Sequence, residues 1–274
     1  MCYNYTVMPP KNGGNPSRRE DLCSMYPGVY CTEHIIFLLA AAAAVAAGLV
    51  AVSRFADTEK KKTAVIKSSA ALLLVWILTN RISVTAGSIA EDPGVYSWVN
   101  LLPYTFCGFA SLLYSVSALI SAKNNPVFHF IALFGFFGGL ATLLYPDFLY
   151  EQTFWDIRSF SGLLHHALMV WMTLLLAVTG RWKPDLYRWW IYPAGFCGMM
   201  TLGIFEIDAL GFPSAMNIGE PLIGSLPVLT GWPVIFAVST AVNVLAGAAV
   251  RAAEIKGRAG KPEEHIETGG KTGA

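Results

Sequence analysis

Long apolar runs recur along the whole of this sequence, and they restrict it to one class of fold. Stretches of about 18 to 25 predominantly apolar residues match the length a helix needs to cross a bilayer. They lie near 35–53, 68–87, 103–122, 127–146, 160–180, 188–207 and 231–251. Hydrocarbon offers backbone amides no water, so runs of this length must satisfy their hydrogen bonds internally, as helices. The charged fraction of 14% agrees, since a soluble domain carries about 25%. The expectation is an all-α, polytopic membrane protein, a bundle of seven transmembrane helices over 34–251. A polar extracytoplasmic segment, 1–33, precedes it. A charged, glycine-rich tail, 252–274, follows and is expected to be disordered and cytoplasmic.

The first run begins about thirty residues in, has no basic lead and is followed by Lys60, Lys61 and Lys62. It is therefore expected to be a retained helix and not a cleaved signal. Lysine and arginine collect in alternate connections: Arg54 to Lys67, Lys123, Arg181 to Arg188, and the tail from Arg251 onward. The other connections hold only Arg158. By the positive-inside rule this places the N-terminus outside and the C-terminus inside, which requires an odd number of crossings. The net charge of +1 carries no argument for nucleic-acid binding.

Polar residues inside such runs are costly and are functional candidates by default. In the third run, LLPYTFCGFASLLY, a helix is expected to start at or just after Pro103. Cys107 falls in its first turns, with Ser111, Tyr114 and Ser115 below it on the same face. Arg81, in the second run, reads first as snorkelling to the interface and second as pairing with Glu206 or Asp208. Gly135 and Gly139 form a GxxxG pair suited to close helix packing. The fifth run carries adjacent His165 and His166. Neighbours on a helix point about 100° apart, so one of the two is expected to face a given cavity. Cys23 and Cys31 are the natural disulfide pair if the N-terminal segment meets an oxidising environment, with unpaired thiols the equal alternative. Cys197 reads as a small hydrophobe. The segment between the sixth and seventh runs, GFPSAMNIGEPLIGSLPVLTGWP, reads as either a lid or a surface loop. No metal-ligand pattern, phosphate loop or dinucleotide fingerprint is present, so no cofactor or metal is expected.

The topology concentrates Cys107, His165, His166, Arg81 and Glu206 at one depth on the outer side. A histidine beside a cysteine is the usual means of generating a nucleophilic thiolate. A buried cysteine that merely packs is the commoner arrangement.

The ordered segments LPYTFC (102–107), GFFGGLATLLYPD (135–147), HALMV (166–170), GRWKPDLYRWW (180–190), MNIGEP (216–221) and GWP (231–233) together resemble the YwaF-like integral membrane family. That family includes the animal transmembrane protein 164 acyltransferases. The resemblance implies a seven-helix enzyme that moves a fatty acyl chain from a phospholipid to a lysophospholipid through a cysteine. Carried over by position, Cys107 is the acyl acceptor, His166 the general base and His165 its substitute. Asn217, Trp232 and Pro233 shape the site. Thr105, Ser111, Tyr114 and Arg81 join Asn217 and Trp232 as the expected substrate-binding residues. Thr105 stands where the family motif has histidine, and Val234 where tryptophan follows the late Trp-Pro. The implied partners are membrane phospholipid and lysophospholipid, and the implied location is the cell membrane. Two other functions compete: a small-solute transporter or receptor with Arg81, the histidines and Glu206 along a pathway, and a non-catalytic membrane scaffold.

Overall fold

A computed structural model describes residues 29–123, 125–150, 153–212, 214–218 and 231–259. Its elements are helices. They are α1 (Thr32–Phe55), α2 (Glu59–Glu91), α3 (Phe106–Ile120), α4 (Pro126–Leu144), α5 (Ile157–Val178), α6 (Ile191–Asp208) and α7 (Trp232–Ala259), with short 3₁₀ turns at Trp98–Leu101, Asp147–Tyr150 and Leu186–Arg188. Six of the seven long helices have the length and apolarity to cross a membrane, and α3 is a shorter apolar helix.

Capping chemistry sets several of the boundaries. Thr58 opens α2, its side chain accepting from the Lys61 amide. Asn125 caps α4 ahead of Pro126, which suits a first helical position because it lacks the amide that a helix start leaves unpaired. Asp156 caps α5. Thr105 caps α3, so that helix begins at Phe106, three residues after the proline. Two helices outrun their apolar stretches. α2 starts at Glu59, because a lysine-rich first turn is compatible with helix even where it is not compatible with hydrocarbon. α7 continues to Ala259, so the beginning of the expected disordered tail is helical.

The bundle has an inner layer and an outer one. α5 packs against α1, α2, α3 and α4, while α3 packs against α2, α4 and α5. α6 and α7 lie outside α4. Small residues allow these approaches. A Cβ on Gly48 would lie 2.8 Å from the Trp171 ring, and that indole donates to Ser69 on α2 (2.9 Å). A Cβ on Gly139 would lie 2.9 Å from the His166 carbonyl oxygen, and one on Gly135 would lie 3.3 Å from the Tyr114 ring. The GxxxG pair therefore serves close packing of α4 against α3 and α5, as expected from its spacing. One end of the bundle is basic: Arg181 pairs with Glu59 (2.7 Å) and Lys183 with Glu254 (2.5 Å). Arg188 donates to His129 Nε2 (3.1 Å) at that end. The N-termini of α3 and α5 lie at the opposite end.

Candidate functional site

Cys107 is the second residue of α3, in the first turn after the Thr105 cap. The Thr105 hydroxyl oxygen accepts from the Gly108 amide (3.1 Å), taking up one of the amides that a helix start leaves without a partner. Helix N-termini favour negative charge, so the thiol sits in the turn where an anion is best accommodated. It is buried. Its sulfur faces α4 at Gly138, where an added Cβ would lie 3.6 Å from Sγ.

His165 and His166 lie on α5, both nearly inaccessible at 3% and 2% exposed. Both rings are interior although neighbours on a helix point about 100° apart. Helices surround α5, so two directions 100° apart are both interior, and the rings lie 3.9 Å apart, centroid to centroid. His165 Nδ1 lies 3.0 Å from the Ser161 carbonyl oxygen, and His166 Nδ1 lies 2.6 Å from that of Gly162. A carbonyl only accepts, so each Nδ1 is the donor in its contact.

α4 brings the two helices to one place. A Cβ added at Gly138 would lie 3.6 Å from the cysteine sulfur and one at Gly139 2.9 Å from the His166 carbonyl oxygen, so both helices approach this step of α4, and α3 packs directly on α5 as well. Below this point the polar stripe of α3 is taken up by helix-to-helix bonds. The Ser111 hydroxyl donates to Met169 Sδ (2.9 Å), and Tyr114 and Thr173 share a hydrogen bond of 3.1 Å. Both α3 residues are fully buried. In this arrangement they form the packed floor of the site.

Arg81 does not snorkel. It is 4% exposed, and its guanidinium donates to the backbone carbonyls of Asn100, Leu101 (3.4 Å) and Leu102 (2.7 Å). It also lies 4.5 Å over the Tyr104 ring. Thr85, one turn along α2, adds a bond to Asn100 O (3.1 Å). α2 thus fixes the chain that leads into the Cys107 helix. The preceding residue serves the other helix, since Asn80 Nδ2 donates to Arg158 O (3.0 Å) and Ser161 Oγ (3.2 Å) on α5.

Asn217 is buried beside the same lead, for the Met216 amide donates to Tyr104 O (2.8 Å). Met216 and Asn217 both have left-handed backbone, φ 47° and 55°. That is a conformation asparagine tolerates and methionine avoids. Trp232 stands apart, half-exposed at the start of α7, and no described contact joins it to Cys107. Glu206 is fully buried on α6, and among the described residues neither carboxylate oxygen has a hydrogen-bond partner. The segment read as either a lid or a surface loop lies mostly at 219–230, outside the described residues, as does Cys23, so the Cys23–Cys31 pairing also falls outside them. Groups of three or more His, Cys, Asp or Glu able to hold a metal ion are absent among the described residues.

His34 carried no sequence signal. It is fully buried at the start of α1, receiving the Tyr30 amide on Nδ1 (3.1 Å) and meeting Leu143 O with Nε2 (2.9 Å). Both ring nitrogens are thereby used, and the residue pins α1 to the end of α4.

No curated protein and no solved structure matches this chain. The model of the TMEM164 family matches residues 29–249. That span is most of the chain and contains all seven helices to within the last turns of α7, and the protein belongs to the TMEM164 family.

Proposed function

We propose that the protein is a membrane acyltransferase that carries a fatty acyl chain on Cys107 between a phospholipid and a lysophospholipid. The observation that supports this most is the convergence of the α3 cysteine and the α5 histidines on the Gly138–Gly139 step of α4. His166 is the proposed base, because its own backbone abuts the glycine next to the one that meets the sulfur. His165 lies beside it, its ring tilted at 41°.

In the first step His166 Nε2 takes the thiol proton, and the thiolate attacks the ester carbonyl carbon of the phospholipid. The ester C–O bond breaks, and the proton passes to the departing lysophospholipid hydroxyl. Cys107 is left as a thioester. In the second step another lysophospholipid hydroxyl gives its proton to Nε2 and attacks the thioester carbonyl. The C–S bond breaks and the thiol is restored. No oxidant, metal or nucleotide enters the balance.

The positive-inside pattern supports seven crossings with this site towards the non-cytoplasmic face, and the proposed location is the cell membrane. Of the expected substrate-binding residues, Thr105 and Arg81 act in this reading by holding the α3 start, and Asn217 by bounding the same lead. In protein reconstituted with a labelled phospholipid and lysophosphatidylethanolamine, Cys107→Ala should abolish acyl transfer. His166→Gln should reduce it by at least 100-fold, within the range general-base catalysis contributes. No transfer by any form, together with uptake of a small solute that survives Cys107→Ser and fails in Arg81→Ala, would favour a solute pathway through the bundle instead.

A further inference from the structure

The groups proposed for chemistry are enclosed. Cys107, His165 and His166 are all buried, so a lipid ester reaches them only if part of the protein moves aside. The lead at residues 98–105 enters α3 directly above Cys107, and residues 214–218 lie against it through the Met216 amide and Tyr104 O. Arg81 is what fastens this cover, through three backbone carbonyls and the Tyr104 ring.

Those three acceptors are neutral. A carboxylate offers a guanidinium two charge-assisted bonds in a matching plane, and competes well against separate carbonyls. Such a carboxylate stands ready in Glu206. It lies close to the Arg81 site, for the Tyr104 ring under the guanidinium meets Phe212 (centroids 5.8 Å) and the Phe212 amide donates to Glu206 O (3.0 Å), yet neither of its carboxylate oxygens is hydrogen-bonded among the described residues. A fully buried carboxyl in that condition is costly and calls for a reason. The left-handed Met216–Asn217 pair, itself strained at Met216, sits in the cover and marks a segment under conformational tension.

We propose that Arg81 is a latch with two seats: on the carbonyls of residues 100–102, where it holds the cover closed, and on Glu206, where it lets the cover lift from Cys107. The latch's purpose rests on the acyl-transfer reading, but its motion does not, and the two are tested apart. Arg81 and Glu206 are positioning residues in this scheme and touch no substrate.

The experiment uses the full chain with Cys2, Cys23, Cys31 and Cys197 replaced by serine, reconstituted in liposomes, and follows N-ethylmaleimide labelling of Cys107 by mass. Arg81→Gln should label at least 10-fold faster than the parent, because the cover has lost its fastening. Glu206→Gln, a near-isosteric change, should label at least 3-fold slower, because the second seat has lost its charge. A thermal melt of each variant checks folding. Should Arg81→Gln unfold, Glu206→Gln alone decides. Labelling of Glu206→Gln at or above the parent rate overturns the latch. Acyl transfer assayed on cysteine-intact forms of the same variants separates the two claims. The labelling pattern without any transfer sinks the enzyme reading and keeps the latch. Transfer that depends on Cys107, with labelling indifferent to Glu206, does the reverse.

Discussion

Thr105 is the residue whose meaning the structure changes most. From the sequence it is a departure, a threonine where the related motif carries histidine. In three dimensions it is the N-cap of α3, and its hydroxyl holds the Gly108 amide one residue past Cys107. Thr105→Ala should lower stability by about 1 kcal/mol and slow acyl transfer, whereas Thr105→Ser should restore both; thermal melts and the transfer assay read the two effects. A second residue-scale prediction concerns Asp156, which caps α5 and pairs with Arg158 (3.1 Å). Burial raises its carboxyl, but hydrogen bonds from the Arg158 side chain and backbone and the charge of Arg158 hold it, on balance, below the ordinary value. A depressed carboxyl stabilises the fold above its unfolded pKa of about 3.9, and that contribution fades as pH falls through the still lower folded value. Asn retains the cap but not the charge, so Asp156→Asn should melt lower than the parent at pH 7. The difference is at most about 1 kcal/mol for a pair so near the surface, and the two melting curves should approach one another as pH falls below about 3.9 and converge once it is below the lower folded value. Legibility at this scale was uneven. Cys107 and the histidines stand out because polar groups are rare in apolar runs, but the partners of Arg81 are main-chain carbonyls some twenty residues away, which no side-chain pattern encodes. His34 was invisible for the same reason: its acceptor is Leu143 O, a backbone atom on another helix.

At the scale of elements, α4 is the spacer that sets the distance between the cysteine helix and the histidine helix. Its two adjacent glycines make opposite predictions. A Cβ at position 139 would meet the His166 carbonyl oxygen at 2.9 Å, so Gly139→Ala must push α4 from α5. It should cost about 1–3 kcal/mol, as overpacking does. A Cβ at position 138 meets the Cys107 sulfur at an ordinary 3.6 Å. Gly138→Ala should therefore fold normally while slowing reaction at the thiol. Gly198→Ala, with nothing within 4 Å, is the control, and melts together with maleimide labelling of Cys107 distinguish all three. Six of the apolar runs were legible as helices long enough to cross because apolar length is a direct physical requirement of the bilayer; the third run yields the shorter α3, which that criterion does not reach. Their ends were less so. Capping residues and charged first turns extend or trim a helix without regard to hydrocarbon thickness, as α2 and α7 show at Glu59 and Ala259.

The whole molecule divides into a basic end, where Arg181, Lys183 and Arg188 make their ion pairs, and an end where the Cys107 and His165–His166 turns meet. α3, at about 22 Å, is shorter than the hydrocarbon core of about 30 Å, and the part-exposed lead held by Arg81 precedes it in the chain. Counting it as a crossing gives seven and puts the termini on opposite faces. Protease-protection of tags at the two ends should therefore show them on opposite sides, the C-terminal tag with the cytoplasm; tags protected together would remove the seventh crossing. That α3 is covered from both its lead and α6 could not be read from periodicity, since it depends on contacts between segments about a hundred residues apart. The claim that Cys107 carries the acyl chain is tested most directly by mass spectrometry of the protein after exposure to phospholipid. The expected result is an acyl adduct on the Cys107 peptide that hydroxylamine removes and that His166→Gln greatly diminishes. An active preparation in which Cys107 stays unmodified, and Cys107→Ala still transfers acyl chains, would contradict it.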